Sequence, residues 1–202
     1  MSRISKLTLA LAALVVFGFG APAAKADVCT VGGNIVNNCG FETGTFAGWT
    51  QSGNLGFTGV DSAAIDVHSG SFGAFFGPVS TLGFITQNLV TTPGSTYNLS
   101  FWLRNDGGSV TEWLVSFNGV TLLDVSNAPA FQYTLFTFNG LLATGPSTPL
   151  LFGFRQDPAF WSLDDIIVTP AQGPAVPEPM TLVLLGTGLA GVATKLRRRK
   201  VA

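Results

Sequence analysis

The chain has 202 residues, a formal net charge of −1 and few charged residues. Between Asp27 and Val176 the only cations are Arg104 and Arg155, against ten carboxylates, so that stretch carries a net charge of −8. Such a segment is repelled by a phosphate backbone and by anionic membrane surfaces, which argues against nucleic-acid recognition.

The N-terminus reads as a targeting segment. Arg3 and Lys6 form a short positive region, and Leu7 to Phe19 is an apolar run of 13 residues, too short to span a bilayer. Ala24-Lys25-Ala26 supplies the small-x-small pattern that signal peptidase reads. The expectation is a signal-peptide helix over residues 1–26, cleaved after Ala26. Two cysteines follow, Cys29 and Cys39, and in an exported chain such a pair predicts a disulfide.

Residues 27–169 read as strand after strand. Tyr97 to Arg104 alternates, with Tyr97, Leu99, Phe101 and Leu103 on one face. Trp113–Phe117 and Val120–Asp124 flank Asn118-Gly119, a strong hairpin signal. Phe131–Asn139 alternates again, with Leu135 facing away from Phe136 and Phe138, and Leu150–Arg155 and Ile166–Thr169 close the series. No helical periodicity runs for three turns, and Ser62–Val67 has room for one short turn. Seventeen phenylalanines and few charges suit two sheets packed face to face. The predicted fold is all-β, an antiparallel jelly-roll-type β-sandwich.

The composition then changes. Residues 170–179 form a proline-rich linker, which cannot continue a sheet. Met180 to Thr194 is free of charge, and Lys195, Arg197, Arg198, Arg199 and Lys200 follow at once. Over 180–202 this pattern predicts a single transmembrane helix, marginal in length, with a basic cytoplasmic tail.

Pro177-Glu178-Pro179, the short apolar segment and the arginine cluster together resemble the PEP-CTERM sorting tail. The resemblance implies recognition by an exosortase, with Pro177, Glu178 and Pro179 as the recognised element. It also implies transient anchoring in the cytoplasmic membrane and delivery to the cell surface or medium of exopolysaccharide-making bacteria. A second resemblance lies in the domain. Asn34 to Trp49, containing Gly40-Phe-Glu-Thr-Gly44, resembles the opening of galactose-binding-like jelly rolls and related carbohydrate-binding modules, and Trp161 to Val168 resembles their closing strand. Domains of that kind often hold a structural calcium ion, for which Glu42, Asp164 and Asp165 occupy the matching positions.

Catalytic constellations are thin. Asp164 and Asp165 are adjacent, and strict alternation would send them to opposite faces, with Asp164 on the core side, so they would not flank one glycosidic bond. His68 is the only histidine and reads as a solvated loop residue. For ligand binding, Phe101-x-x-Arg104-x-Asp106 and Phe152-x-x-Arg155-x-Asp157 repeat one pattern. If their strands run the same way, both Arg/Asp pairs crown one end or face of the sandwich, with Trp102, Trp113 or Trp161 available to stack on a pyranose. The expected function is non-catalytic glycan binding, with a structural matrix protein as the rival.

Overall fold

The computed structural model describes residues 28–171, so the signal peptide, most of the linker and the C-terminal sorting tail expected from the sequence lie outside the described residues. A short 3-10 turn (Val28–Thr30) precedes ten strands: β1 (Thr50–Gly53), β2 (Thr58–Asp61), β3 (Gly73–Phe76), β4 (Gly83–Val90), β5 (Thr96–Asn105), β6 (Val110–Phe117), β7 (Val120–Ser126), β8 (Phe131–Leu142), β9 (Ser147–Asp157) and β10 (Trp161–Pro170). They form two five-stranded sheets, in the orders β1-β4-β9-β6-β7 and β2-β3-β10-β5-β8. Every pairing is antiparallel, and the architecture is the jelly-roll sandwich that the alternating pattern predicts.

The alternation seen in the sequence becomes the core. Tyr97, Leu99, Phe101 and Leu103 of β5 point inward, facing Leu150, Phe152 and Phe154 of β9. Aromatic rings join the sheets: Phe101 meets Phe152 edge-on at 5.0 Å, and Phe76 stacks on Phe154 at 4.3 Å. The Asn118-Gly119 turn takes positive φ at both residues (54° and 75°), as a type I′ hairpin requires. The opening segment plugs one edge of this core. Phe41 is fully buried, and its ring packs against Phe46 and Trp49. Cys29 and Cys39 are disulfide-bonded beside it.

Two strands depart from a simple apolar-inward pattern. In β4, Gln87 faces inward and is buried, its amide spent on Asn37 and on the Gly48 carbonyl. In β10 the register slips between Asp164 and Ile167, and Asp165 adopts φ 54°. This bulge lets Trp161 and Leu163, then Ile166 and Val168, all face the core. Asp164 therefore points away from the core, contrary to the expectation from alternation, and Asp165 turns to the same side.

Candidate functional site

The outer face of the β10 sheet is covered by the chain between β2 and β3. His68 stacks on Trp102 with ring centroids 3.9 Å apart. Asp164 Oδ2 accepts hydrogen bonds from the His68 and Ser69 amides, at 2.8 and 3.1 Å. Asp165 takes the Ser69 hydroxyl on one oxygen (2.6 Å) and lies 2.5 Å from His68 Nδ1 with the other. His68 is thus a docked residue and not a solvated one, because two buried carboxylates and an indole face converge on it. The serine hydroxyl is bonded to the carboxylate and has no imidazole to take its proton, so the trio lacks the nucleophile–base contact of acyl-transfer catalysis. Burial, then the adjacent Asp165, push Asp164 up to about 8, against three backbone N–H donors that pull it down. Glu42 lies at the same corner, where its carboxylate accepts from the Ser71 and Phe72 amides.

The residues expected to bind a ligand separate into three environments. Trp161 is fully buried among Trp113, Phe131 and Phe154, with its indole N–H donated to the Arg155 carbonyl. It belongs to the core because β10 is a central strand and residue 161 faces inward, and Trp113 is buried likewise. Arg104 is also buried; it pairs with Asp106 and reaches the Ile65 carbonyl and the Ser162 hydroxyl beneath the β2–β3 segment. Arg155 and Asp157 are half-exposed and paired at 2.9 Å on the outer face of the other sheet.

The two Arg/Asp pairs do reach one end of the sandwich. β5 and β9 both finish there, bridged by Gln156 Nε2 donating to Asn105 Oδ1 at 2.8 Å. The arginines, however, leave opposite outer faces. Between the pairs sits the turn Pro158–Phe160, preceded by a cis Asp157–Pro158 peptide bond. The Asp106 amide donates to the Phe160 carbonyl, and the Ser80 amide donates to Asp157 Oδ1.

This end carries the open aromatic groups. Phe57 is 70% exposed and Phe160 36%, and with Val79, Gly77, Pro158, Ala159 and Gln156 they line a cleft of about 160 Å³. Phe57 holds a left-handed φ of 53°, a conformation that bulky side chains rarely adopt, and its carbonyl accepts from the Gly77 amide. Gln156 is fully buried at the cleft. Its Nε2 donates to Asn105 and to the Gly107 carbonyl, and its Oε1 has no partner among the described residues. An unpaired buried acceptor of this kind costs about 1–3 kcal/mol.

The cleft continues onto the outer face of β9. Asp157, Arg155 and Gly153 follow one another there at two-residue spacing. A Cβ on Gly153 would stand 2.8 Å from the Phe84 ring, so the missing side chain lets that ring lie down across the strand. Glu112 is the cross-strand neighbour of Arg155. The result is a strip in which Arg155 and Asp157 stand between the Phe84 ring and those of Phe57 and Phe160. Only Arg155 and Asp157 were legible in the sequence as candidates. The Phe84–Gly153 and Phe57–Phe160 groupings depend on strand register and loop return.

Residues 175–199 match the PEP-CTERM protein-sorting motif. No curated protein matches the chain. Among solved structures it is similar to TmCBM61, determined with β-1,4-galactotriose, at 20% identity and a TM-score of 0.58, covering 68% of this chain and 99% of that one. It is also similar to the C-terminal family 22 carbohydrate-binding module of Clostridium thermocellum Xyn10B (16%, 0.52, 76% and 100%). A third match is part of the enzymatically active domain of bacteriophage CBA120 tailspike protein 4 (16%, 0.53, 69% and 22%). At these identities the likeness is one of fold.

Proposed function

We propose that this is an exported, non-catalytic glycan-binding protein whose ligand lies along the strip from Phe84 to Phe160. The sorting motif implies export, transient anchoring in the membrane and processing by an exosortase. The ligand class we assign is an extracellular polysaccharide, met at the cell surface or in the medium. The observation that carries this reading is the cleft lined by the exposed rings of Phe57 and Phe160 at the end of β9 where the half-exposed Arg155–Asp157 pair stands. A pyranose offers apolar C–H faces to the rings and hydroxyl donors to Asp157, while Arg155 donates to ring and hydroxyl oxygens.

Binding to an array of bacterial polysaccharides tests this. Arg155→Ala is expected to weaken binding about ten- to a hundredfold, the loss of a charge-assisted hydrogen bond, with Phe160→Ala acting in the same direction. Binding that survives both changes would place the site elsewhere on the domain, and a folded protein that binds no glycan would leave a structural matrix protein as the better reading.

A structural calcium ion is our second proposal, at the corner where Glu42, Asp164 and Asp165 approach the segment 68–72. Two buried carboxylates stand side by side there beside His68, and a divalent cation would hold both ionised where burial and mutual repulsion otherwise keep Asp164 protonated. Their oxygens suit calcium, and a Cβ on Gly40 would come within 3.4 and 3.6 Å of Asp164 Oδ1 and Asp165 Oδ1, so the glycine keeps that approach open. The expected result is a melting temperature that rises with calcium and falls with a chelator. A melting temperature indifferent to both would remove the ion from this account.

A further inference from the structure

The end of the sandwich opposite the aromatic cleft has a different chemistry. It is built from the end of β4, the start of β5, the β6–β7 hairpin and the β8–β9 turn. Residues 90–96, 117–121 and 139–147 make up these segments and include no Asp, Glu, Lys, Arg or His. Hydrogen bonds knit them into one surface: Thr91 N to the Pro146 carbonyl at 3.0 Å, Gly94 N to the Ala143 carbonyl at 2.8 Å, and Asn118 Nδ2 to the Leu142 carbonyl at 3.2 Å.

Large apolar side chains stand out from this charge-free end. Val90 is 82% exposed, Val120 62% and Leu142 52%. Val120 and Leu142, with Phe117, Leu122 and Leu141, line a concavity of about 310 Å³. Single exposed apolar residues are ordinary on protein surfaces, but a cluster on an uncharged end marks an interaction surface.

The chain leaves from this same end. Ala171 N donates to the Thr96 carbonyl at 2.8 Å, where β10 finishes beside the start of β5. Eight residues, 172–179, separate that point from Met180, the start of the uncharged run. Even fully extended they reach only about 26–29 Å. In the anchored precursor the charge-free end is therefore the end nearest the bilayer.

We infer that this end is a membrane-contact surface, on which Val90, Val120 and Leu142 rest against the lipid while the tail is anchored. Charge supports the assignment. The domain as a whole is repelled by anionic headgroups, yet in this orientation the nearest carboxylate along a strand, Asp124, is about 13 Å from Val120. That exceeds the Debye length of about 8–10 Å, so the repulsion is screened. The aromatic cleft, with Asp106 and Asp157, is then turned outward.

The test uses the full chain in phosphatidylcholine vesicles that contain a dibrominated phosphatidylcholine as quencher. A bimane fluorophore is placed on Val120→Cys, and for comparison on Phe57→Cys at the opposite end, with the native disulfide left oxidised. At position 120 the fluorescence is expected to fall by about half or more, as immersion at the acyl boundary implies, and at position 57 to stay unchanged. Adding Leu142→Asp, an exposed site whose change leaves the core intact, should restore emission at 120. Equal quenching at both positions, quenching at neither, or a chain that fails to float with the vesicles would overturn the proposal. So would shielding at 120 that depends on protein density and not on brominated lipid, which would identify a second copy as the occupant.

Discussion

Replacing Trp161 with alanine is expected to destabilise the protein by about 4 kcal/mol, read as a lowered urea midpoint at unchanged slope. The indole is fully buried in the middle strand of its sheet and contacts Trp113, Phe131 and Phe154 at centroid distances of 5.9 to 6.1 Å. Truncation opens a cavity between two sheets held apart by flanking aromatics, so the site cannot collapse to fill it. It also removes the indole N–H that the Arg155 carbonyl accepts at 3.0 Å. A loss below about 1 kcal/mol would mean that this core relaxes freely, contrary to its packing.

Gly73→Ala should cost about 3 kcal/mol and uncover Trp102. The first residue of β3 lies directly against the returning β2–β3 segment: a Cβ there would stand 1.8 Å from the Asp66 carbonyl oxygen and 2.7 Å from its carbon. Both contacts are with backbone, so no side-chain rotation relieves them. Either the segment lifts or β3 shifts against β10. Lifting would strip His68 from Trp102 and the Ile65 carbonyl from Arg104, leaving a buried guanidinium short of acceptors. Acrylamide quenching of tryptophan emission separates the outcomes: increased access to Trp102 indicates a lifted segment, and unchanged access with unchanged stability would refute the steric argument.

The parts of the fold legible in the sequence were those that obey a period of two. β5 and the β6–β7 hairpin announce themselves because inward positions are apolar and the Asn118-Gly119 turn has the chemistry its geometry needs. The four-residue strands do not. β1 is Thr-Gln-Ser-Gly, exposed throughout, and exists only because β4 offers it a hydrogen-bonding edge. In β4, Gln87 sits at an inward position and breaks the pattern, since its amide serves the opening loop and not the core. The site was less legible for a related reason. A single bulge at Asp165 turned two carboxylates expected on opposite faces toward the same segment, and nothing in the local composition signals that bulge. The repeated Phe-x-x-Arg-x-Asp pattern marks two strands that finish at one end of the sandwich. It did not reveal that one arginine is sealed beneath a loop while the other stays open.

The position of β10 bears on the order of events during export. It is the last strand in the chain but the central strand of its sheet, pairing with β3 on one side and β5 on the other. A polypeptide that emerges N-terminus first can form the β6–β7 hairpin early, but β3 and β5 have no partner between them until residues 161–170 have crossed. Closure of the sandwich thus waits for the final tenth of the domain, and the sorting segment follows within ten residues. On the proposed export route, the strand that completes the fold and the sorting motif at 175–199 therefore emerge almost together.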